Sequence, residues 1–169
     1  MDEIVDIVTT DGTPLRSTTK SDAHSQGLLH PCVIGVVRDD AGNRYVVRQN
    51  THKQDSGQYV NPVGGHVRAN ETLEDALRRE VEEEIGWNDF TFDFIGSVVY
   101  ERTVLGRHEN HLFHVFNVAS TEPFITNDES VEVRHMPRAE YEKTLREQPE
   151  LFGPPHHFVE QAFADYFSK

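Results

Sequence analysis

Residues 65 to 87 read GHVRANETLEDALRREVEEEIGW, an amphipathic run opened by one glycine and closed by another. On a helical wheel Leu73, Ala76 and Leu77 mark the face that should meet a core, and Glu80 and Glu84 continue that face where a purely structural helix would carry leucine. Glu80, Glu83 and Glu84 stand at i, i+3 and i+4, so their like charges share one side of the helix and repel. Carboxylates turned toward an interior must be paired, protonated or bound to a cation, because unpaired burial of charge is too costly. Clustered oxygens beside backbone carbonyls suit a hard divalent ion such as Mg²⁺ or Mn²⁺. A solvated glutamate run would be the ordinary reading of such a triplet taken alone, and its flanks argue against it.

Those flanks each have a physical task. Gly64-Gly65 is expected to form a loop that takes positive φ and brings backbone carbonyls close to an ion. Thr72 followed by Asp75 starts the helix as a capping box, and Gly86 stops it. Arg79 can pair with Glu83 one turn on, or with Glu71 across the loop, and so hold carboxylates in place.

Composition sets the surroundings. The 169 residues suffice for one domain spanning 1–169 with a real core. A formal net charge of -13 disfavours nucleic-acid polymers and anionic membranes, so a phosphate substrate would depend on metal and local basic residues. The opening MDEIVDIVTT lacks the basic start and apolar run of a signal peptide, and no stretch approaches a membrane span, which points to a cytoplasmic protein. Cys32 is the only cysteine, so no internal disulfide forms, and its apolar neighbours place it in a buried strand.

Periodicity predicts a strand over 3–8, a turn at Asp11-Gly12 and a polar stretch to about 29. Strands follow over 31–38 and 43–49, then a loop over 50–58, the box helix, and strands near 91–102, 110–118 and 130–135. A helix over 138–147 ends at Pro149, and Pro154-Pro155 opens a last helix whose Phe158, Ala162, Phe163 and Phe167 should face the core. Tyr59, Phe113 and Trp87 could stack on a ring, with burial in the core the better default. The order of elements favours an α/β architecture, a mixed β-sheet flanked by helices.

The array Gly65, Glu71, Arg79-Glu80, Glu83-Glu84, Gly86 resembles the Nudix box at every fixed position, with Trp87 where that family usually carries an aliphatic residue. The resemblance implies the Nudix α/β/α sandwich. It extends to EIVDIVTTDG, to HSQGLLH at 24–30 and to NPVGGHV at 61–67, which look like the branch containing type I isopentenyl diphosphate isomerase and its hydrolase-like relatives. The isomerase cysteine falls on Gly64 here, and Glu109-Asn110-His111 carries histidine in place of the glutamate that works opposite it. Both proton-transfer groups of the isomerase are therefore missing. The isomerase's metal positions match His24, His30, His66, Glu109 and His111, a set that would form a second divalent-ion site favouring Zn²⁺ or Mn²⁺ over Mg²⁺. Arg48 and Lys53 match basic residues that meet a diphosphate.

The resulting expectation is a Mg²⁺- or Mn²⁺-dependent Nudix hydrolase, a pyrophosphatase acting on a nucleoside diphosphate linked to another group. Glu80, Glu83 and Glu84, with a Gly64 or Gly65 carbonyl, would hold the ion. Glu83 is the favoured base, with Glu129 or Glu132 as alternatives, and Arg79 orients the carboxylates. The rival readings are a noncatalytic module that senses a nucleotide or binds a partner and, less favoured, the isomerase itself. The N-terminal strand or the long strand pair offers an edge for a homodimer.

Overall fold

The computed structural model describes residues 1–169. β1 (Ile4–Val8) and β2 (Pro14–Thr19) form a separate antiparallel pair, followed by α1 (Lys20–Gln26). The main sheet holds β3 (His30–Arg38), β4 (Arg44–Gln49), β5 (Tyr59–Val60), β6 (Val63–His66), β7 (Thr91–Val104), β8 (Arg107–Ala119) and β9 (Ser130–Met136). β3 lies at its centre, parallel to β8 on one side and antiparallel to β4 and β6 on the other, so the sheet is mixed. The helices are α2 (Leu73–Ile85), α3 (Arg138–Glu147), α4 (Pro154–Ala162) and α5 (Ala164–Phe167), and none is long and apolar enough to cross a membrane.

Strand alternation divides the core into two layers. Val33 and Val37 of β3, with Phe116 and Val118 of β8, pack against Ala76, Leu77, Val81 and Ile85 of α2 and against Trp87. Cys32 and Val36, with Phe113 and Val115, face the other way and meet Val159 of α4 and Phe167 of α5. Burying each such aliphatic or aromatic side chain contributes roughly 1.5–3 kcal/mol, and the sum fixes α2 on one face and α4–α5 on the other. This is the α/β/α sandwich that the resemblance implies. Tyr59, Trp87 and Phe113 are core residues, and Cys32 is a buried free thiol.

Three expectations need correction. The polar stretch before residue 29 contains β2 and α1; β2 is largely exposed and α1 has seven residues, so neither writes an apolar period into the sequence. Thr19 caps α1 by accepting from the Asp22 amide, and Gly27 ends it at φ 63°. Gly64 and Gly65 sit in β6, paired with Ile34 and Val33, and neither adopts positive φ. The last helix breaks at Phe163, which leaves Ala162 exposed while His156 and Val159 take the core positions.

Candidate active site and a buried histidine cluster

The α2 helix starts where Thr72 accepts from the Asp75 amide at 3.1 Å and ends at Gly86, φ 73°. Its buried stripe runs Ala76, Leu77, Glu80, Val81, Ile85, so a carboxylate occupies a core position. Burial raises Glu80 to a pKa of about 7, against the pull of Arg79. Glu84, raised to about 8, is also shifted mainly by burial, with the Glu129 and Glu80 charges adding to it. Glu83 is different, with its side chain 53% exposed.

Arg79 locks this array to the loop before the helix. Its guanidinium donates to both Glu71 oxygens at 2.8 and 2.9 Å, to the His66 carbonyl at 3.0 Å, and to Glu80. Glu83 lies farther off, at 3.8 Å. Of the two partners expected for Arg79, Glu71 is therefore the principal one. Gly65 faces α2 so closely that a β-carbon there would overlap the Glu80 carboxylate.

A cleft of about 400 Å³ opens over these groups. Gly64, Gly65, Arg79, Glu80, Glu83 and Glu84 line it, and Lys53 and Glu129 stand on its wall, ion-paired at 2.7 Å. Asn127 donates to Glu84 at 3.3 Å and to the Glu83 carbonyl at 3.2 Å, bringing the loop before β9 onto the end of α2. Arg48 and Glu132 do not line the cleft; they pair with each other at 3.0 Å, and the Tyr59 hydroxyl donates to Glu132 at 2.9 Å.

Register then assembles a second group. His30 of β3 is paired with His111 of β8, and Cys32 with His66 of β6, which sets three imidazoles on the sheet face opposite Glu80. His24 of α1 closes the cluster, and one ring nitrogen from each of the four histidines lies within 4.8 Å of the others. His30 donates from Nδ1 to the Leu28 carbonyl at 2.7 Å, which leaves Nε2 as the free acceptor. The Nε2 atoms of His30 and His66 are buried without a partner, and those of His24 and His111 lie 3.2 Å apart. Burial drives all four pKa values down, His24 to about 4; the Arg107 charge adds to this at His24, His30 and His111, and neighbouring imidazolium charges add to it at His24, His66 and His111. Neutral imidazoles with inward nitrogens are the form that binds a metal.

Glu109 does not join them. Its side chain is 6% exposed, and its two oxygens accept from Arg102 at 2.8 Å and Arg107 at 3.0 Å. Arg102 also donates to both oxygens of the buried Asp55 at 2.7 and 3.1 Å. Sequence reasoning passed over Asp55, Arg102 and Arg107. A signal existed in Leu105-Gly106, both at positive φ, a two-residue hairpin turn that sets Arg102 opposite Glu109.

A protein-family model described as the NUDIX domain matches residues 28–154. The chain belongs to the Nudix family. It is 28% identical over 155 residues to isopentenyl-diphosphate Delta-isomerase 2 of Photorhabdus laumondii, covering 90% of this chain and 87% of that one. An uncharacterised Nudix hydrolase of Streptomyces coelicolor is 36% identical over 120 residues, 62% of this chain and 66% of that one. Among solved structures, a Deinococcus radiodurans protein superposes with a TM-score of 0.72 at 17% identity, covering 94% of this chain and 98% of that one, a likeness of fold.

The residues of this Nudix protein fit a divalent ion at two places. At the box, the buried Glu80 and the half-buried Glu84 stand one turn apart, and a glycine facing α2 makes room for the Glu80 carboxylate by its missing side chain. At the cluster, the partnerless ring nitrogens are the corresponding sign.

Proposed function

We propose that this Nudix protein is a Mg²⁺- or Mn²⁺-dependent hydrolase that cleaves a phosphoanhydride bond in a nucleoside diphosphate linked to another group. One observation carries the reading: Glu80, Glu83 and Glu84 line one open cleft together with Gly64 and Gly65, Glu80 standing at a core position of α2, where a divalent cation would relieve both burial and repulsion. Glu80, Glu83 and Glu84, with a carbonyl of Gly64 or Gly65, would hold that ion. When bound, it supplies charge that polarises the phosphoryl oxygens and lowers the pKa of attacking water.

The chain's own groups do the rest. Arg79 holds Glu80 and Glu71 in fixed positions and keeps its own charge through those bonds. Glu83, exposed to the cleft, takes the proton as the water oxygen bonds to phosphorus and the anhydride P–O bond breaks toward the departing phosphate. Glu129, on the same wall, is the alternative base; Glu132, outside the lining, is poorly placed for it. Lys53, on the wall of the same cleft, would meet the anion by exchanging its pairing with Glu129 for a phosphate contact. A second divalent ion at the four histidines belongs to the same proposal, supported by the inward ring nitrogens.

The isomerase relatives motivate a rival reading, turnover of isopentenyl diphosphate. Gly64 speaks against it, since that proton-transfer chemistry has no thiol there. The obstacle is chemical and not steric, because a β-carbon at 64 would meet Ile34 Cδ1 at an ordinary 3.5 Å. A noncatalytic binding module is the other rival, and the intact carboxylate array favours catalysis over it.

The test is phosphate and nucleotide release from nucleotide sugars, dinucleotides, nucleoside triphosphates and isoprenoid diphosphates, with Mg²⁺ and with Mn²⁺, beside Glu83→Gln. Metal-dependent turnover lost in the variant is expected. Formation of the allylic isomer would transfer the assignment to the isomerase, and no turnover of any compound would transfer it to a binding module.

A further inference from the structure

We infer that Arg102 and Arg107 withhold Glu109 from the histidine cluster, making it a four-imidazole site that takes a borderline ion such as Zn²⁺ while the carboxylate box takes Mg²⁺ or Mn²⁺. The inference rests on the proposal that the cluster binds metal, and it departs from the five-ligand set that the resemblance implies.

Backbone geometry alone would allow Glu109 to serve as the fifth ligand. It lies two residues from His111 on β8, on the same face of the sheet. The side chains decide otherwise. Arg102 Nε occupies Glu109 Oε2 and Arg107 Nη2 occupies Oε1, so each oxygen already accepts a charge-assisted bond. Arg102 is itself anchored, because its two Nη groups are spent on Asp55, only 7% exposed. Drawing Glu109 Oε2 toward an ion would break its bond to the largely buried Arg102 and leave that guanidinium short of its partner, while Arg107, 36% exposed, holds Oε1 less firmly.

The imidazoles are ready without it. Zn–N bonds of about 2.0–2.1 Å place tetrahedral nitrogens about 3.3 Å apart, and His24 Nε2 already lies 3.2 Å from His111 Nε2. The remaining nitrogens need small side-chain movements, since all lie within 4.8 Å. Four neutral nitrogens and no oxygen suit Zn²⁺ and disfavour Mg²⁺, which demands an octahedron of oxygens.

The experiment is calorimetric titration of Zn²⁺ and of Mn²⁺ into metal-free protein. A Glu83→Gln/Glu84→Gln background silences the box. To that background are added His30→Ala, Glu109→Gln, Arg102→Met, or Arg102→Met with Glu109→Gln. Zn²⁺ binds most divalent sites more tightly than Mn²⁺, so the changes among variants carry the result. Glu109→Gln should alter Zn²⁺ affinity less than about threefold, whereas His30→Ala should weaken it about 100-fold or more. Arg102→Met frees one Glu109 oxygen and should raise Mn²⁺ affinity about tenfold, a gain that the added Glu109→Gln removes.

A loss of about tenfold or more in Zn²⁺ affinity on Glu109→Gln would place the carboxylate in the ligand set and overturn the inference. An Arg102→Met protein that folds without gaining Mn²⁺ affinity would overturn it as well. Should Arg102→Met not fold, the Glu109→Gln arm decides alone. Failure of the underlying proposal looks different: the starting protein and His30→Ala would both bind no Zn²⁺.

Discussion

Gly65 of β6 and Glu80 of α2 face one another with no space for a β-carbon between them. The glycine is there for this close approach, since its backbone is ordinary strand. Gly65→Ala should therefore displace the Glu80 carboxylate while leaving the β3–β6 pairing intact. A displacement near 1 Å in a catalytic array costs about 100-fold in rate. Steady-state kinetics beside a thermal melt would check this, with kcat falling by about that factor and Tm changing little.

Glu83 separates chemistry from stability more cleanly. Its side chain is 53% exposed, and its nearest cation, Arg79, is held mainly by Glu71 and Glu80. Glu83→Gln should cut kcat by about 10²–10⁴-fold, the span of a lost general base, with Tm within a few degrees of the parent. Full activity in the variant would remove Glu83 from the mechanism.

Glu84 predicts a pH dependence. Its pKa rises from an ordinary 4.5 to about 8 in the fold, chiefly through burial, so between those values the folded chain holds a proton that the unfolded chain has lost. The stability tied to that proton is present below pH 4.5 and lost as pH rises through about 8. In metal-free protein, Glu84→Gln should therefore gain stability relative to the parent across this window and hold the gain above it. Denaturant titrations at pH 5, 7 and 9 would measure the difference, and Mg²⁺ should shrink it by stabilising the ionised carboxylate.

Lys53 and Arg48 should behave differently as substrate contacts. Lys53 lines the cleft, whereas Arg48 is 44% exposed, lies outside the lining and pairs with Glu132. Lys53→Ala should raise KM several-fold, and Arg48→Ala should leave KM unchanged. The reverse pattern in steady-state kinetics would place the anion on the other side of β4.

Far from the cleft, Arg44 is 2% exposed between the rings of Tyr141 and Phe167 and donates to both Glu160 oxygens at 2.7 and 3.1 Å. Glu160→Ala leaves that guanidinium buried without its carboxylate and should cost about 3–5 kcal/mol. Chemical denaturation would show the loss, while kcat of the folded fraction stays at the parental value.

The box helix was readable from residues alone because its signals are local. Thr72, Asp75 and Gly86 mark its ends, and a 3.6-residue period places Glu80 among the core residues, where its burial is now seen. Five of the seven strands of the main sheet were legible for the same reason, apart from their ends, whereas β5 and β6, with two and four residues, are too short to show an alternation. The stretch carrying His24 was not, because α1 is too short to show a period and β2 is too exposed.

Family resemblance could nominate five ligands for a second ion, but it could not say which of them meet. Register between β3, β6 and β8 brings His30, His66 and His111 together across more than eighty residues of chain, and α1 adds His24. Glu109 is instead bonded to arginines on the partner strand and at its own strand's start, the first of them anchored by Asp55 from a loop about fifty residues earlier. Helix caps and amphipathic periods are written in neighbouring residues, so the sequence by itself determined them. Competition for a buried carboxylate depends on distances between strands that are remote in the chain, and only the tertiary structure decided that outcome.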